Sequence, residues 1–164
     1  MSIDALLRWL EATTIGSAIG ENDFLFPWIE AVHVLAITLV VGSIFIVDLR
    51  LIGLASLDSA AHRLMAEVLP VTWCAFGLAA ITGLLLFVAK AFSYGHNTFF
   101  LVKMMLLALA GINMAVFHVL VGRDIERWAI GRPAPLTARI AGGLSLAIWI
   151  AVVACGRWIG FTLK

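Results

Sequence analysis

The apolar run at residues 24–47 (FLFPWIEAVHVLAITLVVGSIFIV) is long enough to cross a bilayer, yet it carries Glu30 and His33 one helical turn apart. An ionisable side chain in hydrocarbon costs roughly 2.5–3.5 kcal/mol on insertion scales, so it persists where it meets protein, a cofactor or a water-filled cavity. Lys103 and His118 repeat the anomaly in a later apolar run. Imidazole ligates transition metals through a neutral ring nitrogen, relays protons, or bonds neighbouring helices, and lysine balances anions. The chemistry open to these residues is metal ligation with charge balance around it, or hydrogen bonding inside a bundle.

The elements that position them are helices. Of 164 residues, 63% are hydrophobic and 13% charged, and mean hydropathy is +1.07. Soluble domains are about half apolar and a quarter charged, so the composition indicates an integral membrane protein. The apolar runs are continuous rather than alternating, which selects helices over a barrel. A net charge of +1 argues against nucleic acid as a partner. Asp4, Arg8 and Glu11 interrupt the first twenty residues, so no cleavable signal peptide is expected.

Four spans of bilayer length are expected, at about 27–51, 68–89, 98–121 and 136–160. The connections are short, which predicts an all-α, up-down four-helix bundle over residues 24–164. Ahead of it, residues 1–23 read as an amphipathic interfacial segment. Apolar residues at 3, 6, 7, 10 and 15 oppose Asp4, Arg8 and Glu11, and 16–23 reads as a hinge. Arg50, Arg63, Arg123, Arg127, Arg132 and Arg139 fall on one side, and Arg8, Lys90, Arg157 and Lys164 on the other. The positive-inside rule then puts both termini outside, in the periplasm of a bacterial inner membrane. Cys74 and Cys155 fall at opposite ends of their spans, too far apart for a disulfide, and no Cys-x-x-Cys-His is present for covalent haem attachment.

Counting about 1.5 Å per residue places His33 and Lys103 each roughly 8 Å below the outer boundary, with Glu30 in the same layer. His118 lies about 5 Å from the inner boundary, near Asp48, Arg50 and Arg139. On the third span, Lys103, Leu107, Ala110, Met114 and His118 are expected to share one inward face. Histidine at two depths in a helix bundle suits haem b, whose iron takes neutral imidazole and whose propionates pair with lysine or arginine. Two such haems would stand roughly 17 Å apart along the bundle axis. His96 and His62 are candidates for the opposite axial positions, and Lys103, Arg50 and Arg139 for propionate partners. Interhelical bonding without a cofactor stays open for each histidine. Trp28, Trp73, Trp128 and Trp158 are expected in the interfacial belts, and Gly142-Gly143 and Gly156-x-x-x-Gly160 at close helix packing.

The segments PWIEAVHVLAITLVVGSIFIVDLRLIG, from Pro27, and FLVKMMLLALAGINMAVFHVLVGRDIERW, from Phe100, resemble the first and third spans of the haem-binding protoporphyrinogen oxidase family. The layout is similar to copper-resistance D-type membrane proteins as well. The resemblance implies His33 as an axial haem ligand, Lys103 as a pocket residue and Arg50 as the arginine that ends the first span. That family places a further histidine just past the arginine; here the stretch reads LIGLAS, and His62 comes later. The expected function is a b-type cytochrome-like protein with one or two haems that exchanges electrons with quinone or a redox protein, Glu30 relaying a proton. A tetrapyrrole-oxidising enzyme, a copper-handling protein using Met65, Met104, Met105 and Met114, and a cofactor-free anchor subunit are the alternatives.

Overall fold

The computed structural model describes residues 2–55, 61–120 and 134–163, except the side chains of Ala61 and His62. Among them the chain is helical: α1 (Ile3–Glu11), α2 (Thr14–Gly20), α3 (Leu25–Ile52), α4 (Ala61–Ala89), α5 (Ala91–Gly95), α6 (Thr98–Leu120) and α7 (Leu136–Thr162). Four of these, α3, α4, α6 and α7, are long and apolar enough to cross a membrane. Their boundaries match the expected spans to within a few residues, and α4 is longer because its helix extends back to Ala61.

Local chemistry sets the ends. The Asn22 side-chain oxygen accepts from the backbone N–H groups of Phe24 and Leu25, both at 2.9 Å, which satisfies orphan donors where α3 begins. Pro27 sits in the first turn, where its missing N–H costs nothing. Gly53 ends the helix at φ 88°, the left-handed conformation that glycine adopts without a Cβ penalty. The expected hinge over 16–23 is largely helical: Thr13 caps α2, its hydroxyl accepting from Gly16 N–H at 3.2 Å. Capping outweighs the low helix propensity of Gly16 and Gly20 there.

The spanning helices run alternately up and down. His33 on α3 faces Thr82 on α4, and ten residues along α3 Ser43 faces Thr72, ten residues back on α4. Asn97 and Asn113 bond Thr162 and Ala141 in the same antiparallel sense, linking both ends of α6 to α7. Among the described residues α3 packs on α4 and α7, and α7 on α6, whereas α4 and α6 nowhere bring Cα atoms within 8 Å. The backbones are thus parted along one seam.

Two apolar clusters fill the interior. Val40, Ala75, Ile148, Trp149 and Val152 form the middle, and Leu51, Phe117, Ala134 and Ala138 the end away from the termini. The outer surface is apolar as well: Leu35, Ile81, Met105 and Ile112 stand exposed, as lipid contact requires. Trp28, Trp73 and Trp158 are exposed near helix ends, in keeping with interfacial anchoring. Trp128 lies outside the described residues.

α1 and α2 pack against α4 and α5 at the end that carries both termini, hereafter the terminal end. The polar stripe of α1 faces protein. Glu11 accepts from Phe92 N–H at 2.8 Å, the Arg8 guanidinium lies 4.2 Å from the Phe92 ring centre, and Asp4 pairs with His96 at 3.3 Å. Leu7 is buried against Gly95, where a Cβ would collide with it. Ile3, Leu6 and Trp9 are exposed. α1 is thus seated on α5 by Leu7 and its charged side chains, while Ile3, Leu6 and Trp9 stay open to an interface.

Candidate functional site

The terminal end closes over an aromatic group. Phe87 of α4 stacks on Phe100 of α6 with centroids 5.4 Å apart, and Tyr94 of α5 packs on Phe100 at 5.2 Å. One turn deeper lie the polar residues. The Nδ1 atom of His33 bonds the Thr82 hydroxyl at 2.9 Å, and that hydroxyl donates its own hydrogen to the Leu78 carbonyl at 2.7 Å. Thr82 thus ties His33 to the α4 backbone, and which of the two donates follows the tautomer of the ring. With Nδ1 engaged, Nε2 is the ring nitrogen that does not bond Thr82. The same bond pattern fixes ligand histidines in metal proteins, where the second nitrogen holds the ring in place.

Gly83 makes room for this ring. A Cβ there would stand 2.9 Å from His33 Cε1. The ring also interacts with the Ala79 backbone, so three residues within one turn of α4, Ala79, Thr82 and Gly83, surround it. Across the seam, Lys103 of α6 is within electrostatic reach of His33. Its Nζ stands 3.8 Å from where a Cβ on Gly156 would be, and Cys155 lies within electrostatic reach too. His33, Thr82, Lys103 and Cys155 thus form one polar layer from four helices.

Glu30 shares the depth of this layer but not its interior. It is exposed, and the group it reaches is Tyr94. Burial pushes the Tyr94 phenol above its ordinary range, and the charge of Glu30 pushes it further the same way. His96 stands outside the layer: its Nδ1 bonds the Phe92 carbonyl at 2.9 Å and its Nε2 pairs with Asp4. The Nδ1 bond closes the end of α5, and the Nε2 pair joins α5 to α1.

The opposite end differs from expectation. His118 and Met114 are exposed, and His118 Nδ1 bonds the Met114 carbonyl at 2.9 Å on its own helix. The inward stripe of α6 runs instead through Lys103, Leu106, Ala110, Asn113 and Phe117, of which Phe117 is buried. That is a spacing of 3.5, the period of helices that supercoil about one another, and it carries His118 about 100° away from Lys103. Arg50 is 1% exposed and Asp48 4%, so both charges that close the first span are interior. Arg139 is exposed in the first turn of α7. The His62 side chain lies outside the described residues. Met104, Met105 and Met114 are exposed and Met65 packs in the far cluster, so the methionines do not converge. Among the described residues no three His, Cys, Asp or Glu side chains group as a metal site.

The pattern that defines DUF6644, a family of unknown function, matches residues 6–162. The chain belongs to the DUF6644 family. The match begins inside α1 and ends with α7, so in DUF6644 the N-terminal helices and the four spans make up one unit. No curated protein and no solved structure matches the chain.

Sequence reading missed what α4 contributes to the DUF6644 bundle. Residues 68–89 carry no charge, but the Thr82-Gly83 pair interrupts a run of aliphatic side chains. A hydroxyl beside a glycine in such a run is the signal available for a grip on an imidazole.

Proposed function

We propose that this protein is a membrane electron-transfer subunit that holds one b-type haem at the terminal end of its bundle. The observation that carries the reading is the anchoring of the His33 ring by Thr82 beside Lys103. Its Nδ1 bonds Thr82, and Nε2 would be the nitrogen that takes a ligand, in a layer that contains Lys103. An imidazole beside an ammonium matches a macrocycle with a Lewis-acidic iron and anionic propionates. The parted backbones of α4 and α6 leave a seam of side chains alone where a flat apolar group would enter.

When bound, the haem supplies a one-electron carrier. The chain's own residues would do the following work. His33 Nε2 ligates, Thr82 holds the ring angle, Gly83 keeps the ring space clear, and Lys103 neutralises an anion. The aromatic group of Phe87, Tyr94 and Phe100 shields the site from the surface. One haem is proposed rather than two, because His118 faces off the bundle and the two nitrogens of His96 are engaged. Exchange of electrons with quinone or a redox partner, and a periplasmic position for the terminal end, belong to the same proposal.

Detergent-purified protein is expected to show a Soret band that His33→Ala abolishes and His118→Ala leaves intact. A folded protein purified from haem-replete cells without that band would falsify the reading. A second reading would then take its place. The contacts of His33 with Thr82, Ala79 and Gly83 favour an interhelical clamp in a cofactor-free subunit. It predicts that His33→Ala lowers stability with no spectral consequence.

A further inference from the structure

The connection between the second and third spans builds a cleft of about 430 Å³ at the terminal end. Its walls come from α5 and its cap (Phe92, His96), the start of α6 (Asn97, Thr98, Phe99) and the end of α7 (Thr162). These walls are held from behind. Asn97 is 7% exposed; its amide donates to the Thr162 hydroxyl at 2.9 Å, and its side-chain oxygen accepts from Phe100 N–H at 3.1 Å. The rings of Phe92 and His96 pack with centres 4.6 Å apart, and the Arg8 guanidinium lies over Phe92. Phe99 packs on Trp158 of α7 at 6.2 Å.

Depth and lining limit what such a cleft can take. Thr98 opens the third span and Thr162 closes the fourth, so the cleft lies where hydrocarbon meets head groups. A ligand at that depth is an amphiphile, with its polar head in the cleft and its tail in lipid. None of the described residues that line it is Lys, Arg, Asp or Glu. Phosphate is held by such cations, so a phospholipid head finds no lysine or arginine on these walls. The titratable side chain on them, His96, is already paired with Asp4. The walls offer the ring faces of Phe92 and Phe99 for stacking. For an acceptor they offer the Thr98 hydroxyl and the second amide hydrogen of Asn97. Aromatic walls with a few polar groups, at this volume, are the usual make-up of a small-molecule site.

We propose that this cleft is the head-group site of a membrane quinone, an uncharged ring whose carbonyl oxygens accept from Thr98 and Asn97. The tail runs into lipid beside α6 and α7. Ser93, which also lines the cleft, and Phe99 are the chain neighbours of Tyr94 and Phe100. The site therefore adjoins the aromatic group that covers the His33 layer. That the ring is redox-active rests on the electron-transfer reading, whereas the fit of an uncharged ring does not.

Photolabelling of the full chain in lipid nanodiscs with an azido-substituted ubiquinone analogue tests it. Label is expected on the peptide of residues 92–99, lost in excess decylubiquinone and kept in excess phosphatidylglycerol. Thr98→Phe, which puts a ring into the cleft from an exposed position, is expected to lose the same label, with circular dichroism checking its fold. The wild-type competition needs no variant, so it decides the matter even where Thr98→Phe fails to fold. Label spread along the lipid-facing helices, or lost equally to phosphatidylglycerol, would overturn the proposal. The Soret band is read on the same sample. Competed label without that band overturns the haem reading alone, and a Soret band without competed label overturns the quinone site alone.

Discussion

Helix α3 carries ionisable side chains toward both ends of the bundle, and the two ends treat His33 and Asp48 in opposite ways. At the terminal end His33 is half-buried, held by a threonine and given space by a glycine, with a lysine facing it from α6. At the far end Asp48 is nearly inaccessible, bonded to the Ser145 hydroxyl of α7 and with apolar side chains on both sides. The first setting fixes one atom of a ring and leaves another available. The second closes over its group. The neighbours decide the difference, because in hydrocarbon a polar group is committed to whatever donors and acceptors adjacent helices offer.

The largest test of this contrast is spectral. His33→Ala is expected to remove haem binding entirely while Asp48→Asn leaves it unchanged, read as Soret absorbance per protein. A Soret band that survives His33→Ala would break the contrast.

Glycine substitutions sharpen it next. Gly142→Ala presses a Cβ against Leu51 and a backbone oxygen that cannot turn aside, so a loss of about 1–3 kcal/mol is expected in detergent unfolding. Gly83→Ala presses on a ring that can rotate. It is expected to cost less stability than Gly142→Ala and to weaken haem retention.

Thr82→Val leaves His33 Nδ1 without its hydrogen-bond partner and is expected to cost about 1–3 kcal/mol. Thr72→Val removes a mid-bundle bond to Ser43 at 2.8 Å, whose oxygen already donates to Val40, so about 0.6 kcal/mol is expected. Equal costs would show that the histidine grip is no more committed than an ordinary polar contact.

The smallest effect is electrostatic. Tyr94 is the single tyrosine, so alkaline absorbance titration reads it alone. Burial and then Glu30 both favour the neutral phenol, so the midpoint is expected above the ordinary value of about 10. Glu30→Gln is expected to lower it part of the way. An unchanged midpoint would detach Glu30 from the terminal layer.

Most of the fold was legible in the sequence because hydropathy and length suffice for spanning helices; α4, α6 and α7 keep at least one boundary predicted from composition and turn residues. The depth of His33 and Lys103 was legible too, since rise per residue is fixed. Rotation about the helix axis was harder. A period of 3.75 keeps His118 inward and one of 3.5 turns it out, and fifteen residues amplify that small difference into about a quarter-turn. The partner of His33 was not legible, because a threonine in an apolar span bonds its own backbone as readily as a neighbour. Thr82 does both.

The attachment of α1 has a consequence for the order of assembly. The bond from Glu11 to Phe92 joins groups 81 residues apart, so the first helix synthesised finds its seat only after α4 and α5 exist. Until then its apolar face can rest in the membrane surface while Asp4, Arg8 and Glu11 stay hydrated. A chain that emerges from its N-terminus thus fits its first piece late, when the second crossing is complete. Docking of α1 marks that the hairpin of α3 and α4 has closed.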